Sequence, residues 1–287
     1  MADTMTTTTG AVFIPEIWSA EVLMFRESAL VMAPLVARYD SAVKSKGDVI
    51  HIPDVSELSA NDKSAGSEVT LQKPTETDTD INIDTHKEVS FEIEDILKAQ
   101  SQYELRASYT KSAGFAIAKA IDTDLLSLYS SLTSTDVGTY GTDITDATIV
   151  AGIQELDEAD VPFEDRYFVI KPSQKAALLL LDKFVKADYL GQYQQPTIVR
   201  KGPNNRYLWG DIYGIPTYYT NQVQETAATP TQTHNIMFHK EAFALAMQLG
   251  PRTQGNYWAK DLAYLVTVDS IYGCGVLRTD HGVEVRS

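Results

Sequence analysis

From Thr70 to Ile93 the chain reads TLQKPTETDTDINIDTHKEVSFEI, and polar and apolar positions alternate along its second half. Ile81, Ile83, Val89, Phe91 and Ile93 fall on one face, and Asp78, Asp80, Asn82, Asp84, His86, Glu88, Ser90 and Glu92 on the other. That period of two predicts a half-buried strand, interrupted on its apolar side by Thr85 and Lys87. At roughly 3.3 Å per residue the run from Thr77 to Ile93 would reach about 55 Å, too long to be buried in one small domain. KGDVIHIP, from Lys46 to Pro53, is a suitable antiparallel partner, and ELSANDKSAGSE between the two reads as a distal loop. The product is a two-stranded finger. A lone hairpin is marginal in water, which leaves two readings: an edge hairpin kept soluble by its acids, or an arm that lies on another copy of the chain.

Elsewhere the periodicity is mostly helical. Trp18, Val22, Phe25, Ala29 and Met32 recur at helical spacing between Pro15, suited to a first turn, and Pro34, which ends the run. Glu16, Arg26 and Glu27 lie off this stripe, so the segment predicts an amphipathic arm helix. Tyr103, Ala107, Thr110, Ala113, Ile117, Ile121, Leu125, Leu128 and Leu132 keep one stripe through a long spine helix from about Asp95 to Leu132. STDVGTYGTD breaks it, and a second helix begins near Thr145 with Ile149, Ile153 and Leu156 inward, stopping before Pro162. DRYFVIKPSQKAALLLL predicts a buried strand, Tyr167 to Ile170, feeding a helix with Pro172 in its first turn. After a loop-rich stretch from Lys186 to Trp209 come the strands DIYGIPTYYT, HNIMFH, YLVTVDSIYG and GVLRTDHGVEV, with a short helix at Lys240 to Met247 and a hairpin turn at Asp280-His281-Gly282. The order is α+β without an internal repeat.

Composition narrows the class. The chain has 287 residues, 44% hydrophobic and 22% charged, which suits a large core or two domains. Its 24 basic against 39 acidic residues argue against a nucleic-acid reader, which needs a concentrated basic surface. The one basic cluster, VRKGPNNR from Val199 to Arg206, reads first as a Gly/Pro/Asn loop. A wall that only encloses nucleic acid gains from not adhering to it. The single Cys274 cannot form an intrachain disulfide, which suits a cytoplasmic life. MADTMTTTTGA reads as a tail and not a signal peptide, and runs such as AALLLL are too short to span a bilayer.

Candidate chemistry is thin. Asp78, Asp80 and Asn82 mimic the start of a calcium loop, but Ile83 stands where the turn needs Gly and Val89 where the bidentate Glu belongs. The histidines His51, His86, His234, His239 and His281 show no zinc-motif spacing and are expected at surfaces or interfaces. Cys274, with Asp280 and His281 downstream, reads as a packing cysteine ahead of a thiol site. YGIPTYYT lacks the basic residues of a base-stacking platform and reads as a strand with core tyrosines, and neither G-x-S-x-G nor a Walker loop occurs.

The succession of FIPEIWSAEVLMFRESALVMAPLV, long acidic hairpin, spine helix, DRYFVIKPSQKAALL, GDIYGIPTYYTNQV and YGCGVLR resembles tailed-bacteriophage major capsid proteins of the Hong Kong ninety-seven type fold, from Phe13 to Arg286. The resemblance implies an N-terminal arm (residues 1–41), an extended E-loop hairpin (42–94), a P-domain with the spine helix (95–185), an A-domain (186–270) and C-terminal strands returning to the P-domain (271–287). The finger would be the E-loop lying across a neighbouring subunit. The implied function is structural, without catalytic, cofactor or metal residues: a major head protein that self-assembles as hexamers and pentamers into an icosahedral shell enclosing double-stranded DNA. Trp18, Phe25, Lys63, Asp78, Asp80, Asp84 and Glu88 are the expected contacts between subunits. A portal protein and a separate scaffold protein are expected partners, the latter because nothing before the arm resembles the scaffolding segment of some relatives. No membrane is involved, and the location is the virion, assembled in host cytoplasm. Lys63 lacks a matching asparagine and catalytic carboxylate, so crosslinking is not expected. An encapsulin-like compartment holding an enzyme is the nearest alternative, and a hydrolase using the finger's carboxylates a remote one.

Overall fold

The structure is a computed structural model that describes residues 31–41, 43, 47–56, 58–95, 105–181 and 208–287. The predicted arm helix with Trp18 and Phe25, the start of the spine helix and most of the 186–209 loop, including the basic cluster, lie outside the described residues.

In chain order, β1 (Ala37–Arg38) is followed by β2 (Val49–Asp54), β3 (Thr77–Asn82) and β4 (Thr85–Glu94). Next come α1 (Leu105–Ser127), extended by a 3-10 turn Leu128–Ser131, then β5 (Val137–Gly138) and α2 (Asp146–Glu158). β6 (Arg166–Ile170), α3 (Pro172–Leu178), β7 (Leu208–Ile212), β8 (Ile215–Tyr219), β9 (Glu225–Thr226) and β10 (Gln232–His239) follow. A 3-10 turn Lys240–Ala242 leads into β11 (Phe243–Trp258), β12 (Ala263–Val276) and β13 (Gly282–Arg286). The described residues form three sheets: β1-β11-β12-β4; β5-β13-β10-β6-β8-β7 with β9 on β10; and the ribbon β2-β3.

From Ala113 to Leu125 the stripe of α1 is buried as the sequence predicts. Ala113, Ile117, Ile121 and Leu125 are buried against Phe243, Leu245, Val268 and Tyr272 of the four-stranded sheet and Ile236 and Phe238 of the larger one. Ala107, further up the stripe, is exposed. Each such aliphatic side chain contributes about 1.5–3 kcal/mol by leaving water, so the helix belongs to both sheets energetically. α2 starts on Thr145, whose hydroxyl accepts from the Thr148 N–H at 3.3 Å, with Asp146 in the first turn facing the positive helix end. It ends in a Schellman motif. Asp160 takes φ +52°, its N–H donates to the Asp157 carbonyl and that of Val161 to the Leu156 carbonyl, while Leu156 and Val161 join the same apolar cluster.

Asp122, one residue off the stripe, is buried and works for the backbone. Its carboxylate accepts from the N–H groups of Val31 at 2.6 Å, Met32 at 3.3 Å and Ala33 at 3.3 Å, which fixes the chain entering the core to α1. Burial pushes its pKa up and the three N–H bonds oppose that. Asp122→Ala leaves three donors without their acceptor, at about 1–3 kcal/mol each when buried. The expected result is a clear drop in the urea unfolding midpoint with a native circular dichroism spectrum at zero urea.

Three elements depart from the sequence expectations, each for a physical reason. The long 77–93 strand breaks at Ile83-Asp84: β3 pairs with β2, whereas β4 pairs with β12 from Thr85↔Tyr272 to Glu94↔Ala263 and is part of the core sheet. The expected helix over 240–247 is only the 3-10 turn followed by strand, because Phe243 and Leu245 pack toward α1 while Ala244 and Ala246 pack toward the ribbon. A run apolar on both faces carries no period to separate helix from strand. Asp280-His281-Gly282 is not a hairpin turn, since β12 lies in the four-stranded sheet and β13 in the larger one, antiparallel to β10. In the larger sheet β6 sits between β10 and β8, and β13 pairs with β10 and β5.

Candidate functional site

The finger is built by β2 and β3 in antiparallel register, His51 opposite Asp80 and Asp54 opposite Thr77 at its last pair. Beyond that pair the ladder stops. Residues 58–78 are exposed without interruption, including Leu58, Val69 and Leu71, the last 89% exposed. The loop is held to itself by polar contacts alone: Ser59 N–H to Gln72 Oε1 at 3.0 Å, Gln72 Nε2 to the Ser59 carbonyl, and Ser67 N–H to the Ser64 carbonyl at 3.2 Å. Gly66 at φ +85° makes that last turn possible, and Lys63 stands exposed beside it.

The base of the finger is anchored differently. Ile81 and Ile83 are buried with Val43, Ala244 and Ala246, so the ribbon crosses over the face of β11 and β12 that looks away from α1. Small residues make the crossing. A Cβ on Gly273 would lie 2.9 Å from the Asn82 carbonyl carbon and 3.1 Å from Ile83 Cα, and one on Gly275 would meet Ile81 at 3.6 Å. The GCG stretch around Cys274 therefore serves backbone approach, a use the sequence reading did not assign. Cys274 itself is half-buried between the glycines, with burial pushing its pKa up to about 11, which leaves an inert packing thiol.

The carboxylate row is exposed as predicted, yet its members do different things. Asp78 and Asp80 meet at His51, whose Nδ1 lies 3.2 Å from Asp78 Oδ2 and 2.5 Å from Asp80 Oδ1. The hydrogen bond and charge of Asp80 raise the His51 pKa against desolvation, with a smaller push from Asp78. Asp84 accepts from the Thr85 hydroxyl at 3.2 Å, and Glu88 from Ser90 at 2.5 Å. Glu88 and His86 line an open groove of about 670 Å³ with Gln254, Gly255, Asn256, Leu265, Thr267 and Asp269. Asp269 on its floor is held by Arg252 through two bonds of 2.9 Å, which lower its pKa, with His86 Nε2 at 3.3 Å. Lys63, at the loop tip, joins none of these groups.

Other surfaces were not legible in the sequence. The β11–β12 hairpin ends in Tyr257, Trp258 and Leu262, each about half exposed or more, with Tyr257 donating to Asp95 at 2.8 Å. Of the five histidines expected at surfaces or interfaces, three are buried within the subunit: His234, His239 and His281. His234 bonds Glu284 at 2.6 Å and stacks on Tyr129, whereas His239 and His281 face each other across the start of β13 with ring centres 5.7 Å apart. Burial lowers the His239 pKa. No helix among the described residues is long and apolar enough to cross a membrane.

The chain matches the phage capsid protein family model over residues 38–286. Among solved structures it is similar to one from Mycobacterium phage Che8, with 26% identity and a TM-score of 0.79 over 95% of this chain and 97% of that one. It is also similar to the capsid of Cyanophage P-SCSP1u, at 20% identity and TM-score 0.73 over 99% and 96% of the two chains. The capsid of a native GTA particle follows the same fold at 12% identity and TM-score 0.66, over 100% and 99%. None of the curated proteins matches the chain.

Proposed function

The chain belongs to the phage capsid protein family, has the capsid fold and resides in the virion capsid, and from that premise we propose that it builds an icosahedral shell of hexamers and pentamers around double-stranded DNA. The observation that carries this reading is the finger. Its base is fixed by Ile81 and Ile83, while its outer part exposes Leu58, Val69 and Leu71 and has no core of its own. A segment of that composition is stabilised by lying on another surface, and in a closed symmetric shell that surface is the next subunit. Multivalent closure then makes modest contacts sufficient.

Within this reading the 42–94 segment is the E-loop, its β4 base excepted. The P-domain is α1 with the β4, β11 and β12 sheet, and the A-domain is the seven-stranded sheet with α2 and α3. Lys63, Asp78, Asp80, Asp84 and Glu88 are contact residues on the finger and its base, and Trp18 and Phe25 on the arm. The net charge of −15 suits a wall that encloses DNA without adhering to it. A portal protein and a separate scaffold protein complete the set of partners. The function is structural and not enzymatic: the finger's carboxylates lie exposed along its strands, without the burial that raises a general acid's pKa.

Purified protein, alone and with its scaffold, is expected to sediment as large particles and to show closed shells by electron microscopy. A compact monomer under every salt condition and with scaffold present overturns the proposal. DNA recovered with particles from infected cells, as against a cargo enzyme, separates the virus shell from an encapsulin-like compartment.

A further inference from the structure

We propose that His239, Glu241 and His281 form a binding site for a divalent metal ion with the donor chemistry that suits zinc, and that the ion ties together the two places where the chain crosses between the large sheets. This inference is independent of the shell reading. His239 is the last residue of β10, Glu241 lies in the 3-10 turn that leads to β11, and His281 lies in the turn that brings the chain from β12 to β13. No sequence spacing links these residues. The fold does, and it places one ligand atom from each within 4.8 Å of the others.

The geometry is close to what a shared ion needs. The imidazole centres are 5.7 Å apart at an interplanar angle of 70°. Two imidazoles on one tetrahedral zinc, with Zn–N bonds of about 2.0–2.1 Å, hold their centres about 5 Å apart, so binding asks for a small inward shift. Both rings are more than nine-tenths buried, at 6% and 7% exposure, whereas Glu241 is exposed and able to swing in. The backbone holds the rings in place: His239 N–H donates to the His281 carbonyl at 2.9 Å, Leu277 N–H to the Ala242 carbonyl at 2.8 Å, and Lys240 N–H to the Asp165 carbonyl at 3.0 Å.

A second carboxylate supports the set from behind. Asp280 Oδ1 lies 2.9 Å from His281 Nδ1, the arrangement in which an outer carboxylate fixes the ring and leaves Nε2 for the metal. His239 Nδ1 accepts a long bond, 3.3 Å, from the Glu241 N–H, and metal binding through either ring nitrogen gives up that weak contact. Asp165, Glu241 and Asp280 supply negative charge nearby. Of the neighbouring cations, Lys240 is exposed, and Arg166 is already held by Asp157 at 2.7 Å and by the carbonyls of Val161 and Pro162. The balance favours a cation, and the open side at Glu241 leaves room for water as a fourth ligand.

The test uses the full chain stripped of metal with a chelator, then titrated with zinc chloride by calorimetry and with cobalt chloride by visible absorption. One zinc per chain, an intense tetrahedral cobalt spectrum and a rise in melting temperature with zinc are expected. Glu241→Ala and His281→Asn should each lose the spectrum, and Asp280→Asn should weaken binding about tenfold or more. Because His281 is buried, Glu241→Ala carries the test if His281→Asn fails to fold. Among the described residues, the other such cluster, His51 with Asp78 and Asp80 on the finger, is the internal control, and His51→Ala should leave zinc binding unchanged. The proposal is overturned by no uptake at micromolar zinc, by an adventitious ion only, or by binding that His51→Ala abolishes and Glu241→Ala leaves intact.

Discussion

Gly273→Val is expected to abolish particle formation and to lower the melting temperature of the subunit, although the residue touches no neighbouring subunit in the proposed use of the finger. The substituent has nowhere to go. Its Cβ would lie closer to the Asn82 carbonyl oxygen than any van der Waals contact allows, with Ile83 Cα at 3.1 Å, and both are backbone atoms that cannot rotate aside. Overpacking of a filled site costs about 1–3 kcal/mol when side chains yield, and here the ribbon itself must lift. Ile81 and Ile83 then leave their contacts with Ala244 and Ala246, and the finger loses the direction its base imposes. Gly275→Ala is the matched control, because its Cβ would meet Ile81 at an ordinary 3.6 Å. The expected pair of results is no sedimenting particles for Gly273→Val and normal shells for Gly275→Ala. Normal shells from both would show that the ribbon base tolerates displacement and that the crossing does not aim the finger.

How much of this could be read in advance depended on whether one face of an element was wet. Where it was, the period was visible: the acids from Asp78 to Glu92 are exposed, and the Ala113, Ile117, Ile121 and Leu125 stripe is buried. Where both faces are buried, it was not. Phe243 to Met247 is apolar at every position, so helix and strand were indistinguishable, and the two cores it separates decide the matter. The break at Ile83-Asp84 was hidden for another reason: alternation continues through it, and only Gly273 on a distant strand shows that the chain changes sheets there. Contacts between residues far apart in sequence left no local trace either. Nothing in the helical pattern marks out Asp122, and His239 and His281 meet only where β10 and β13 pair in the fold. Asp78, Asp80, Asp84 and Glu88 were legible as an exposed acidic row, while the hydrophobic tip of the β11–β12 hairpin had no such signature.

Replacing residues 55–76 by a short Gly-Ser turn is expected to leave a folded subunit that makes no shells. Asp54 and Thr77 are the last paired residues of the ribbon, so a tight turn closes the hairpin there without disturbing its register. None of the described residues removed is buried, and the deletion takes away the exposed side chains of Val55, Leu58, Val69 and Leu71. The three apolar clusters keep every member, so far-UV circular dichroism on heating should report a cooperative melt near that of the full chain. Assembly should respond in the opposite way. A contact worth about 1.4 kcal/mol is a factor of ten in one association constant, and in a symmetric lattice the same contact is lost at every copy. Particle yield by sedimentation should therefore fall to background while monomer solubility is kept. A longer deletion, 56–85, separates the two roles of the segment, because it also removes Ile81 and Ile83 from the core at about 2–5 kcal/mol each. That variant should melt early or not fold, where the shorter one stays native. Shells from the 55–76 variant would refute the finger as the tie between subunits, and an unfolded 55–76 variant would make the exposed loop part of the subunit's own stability.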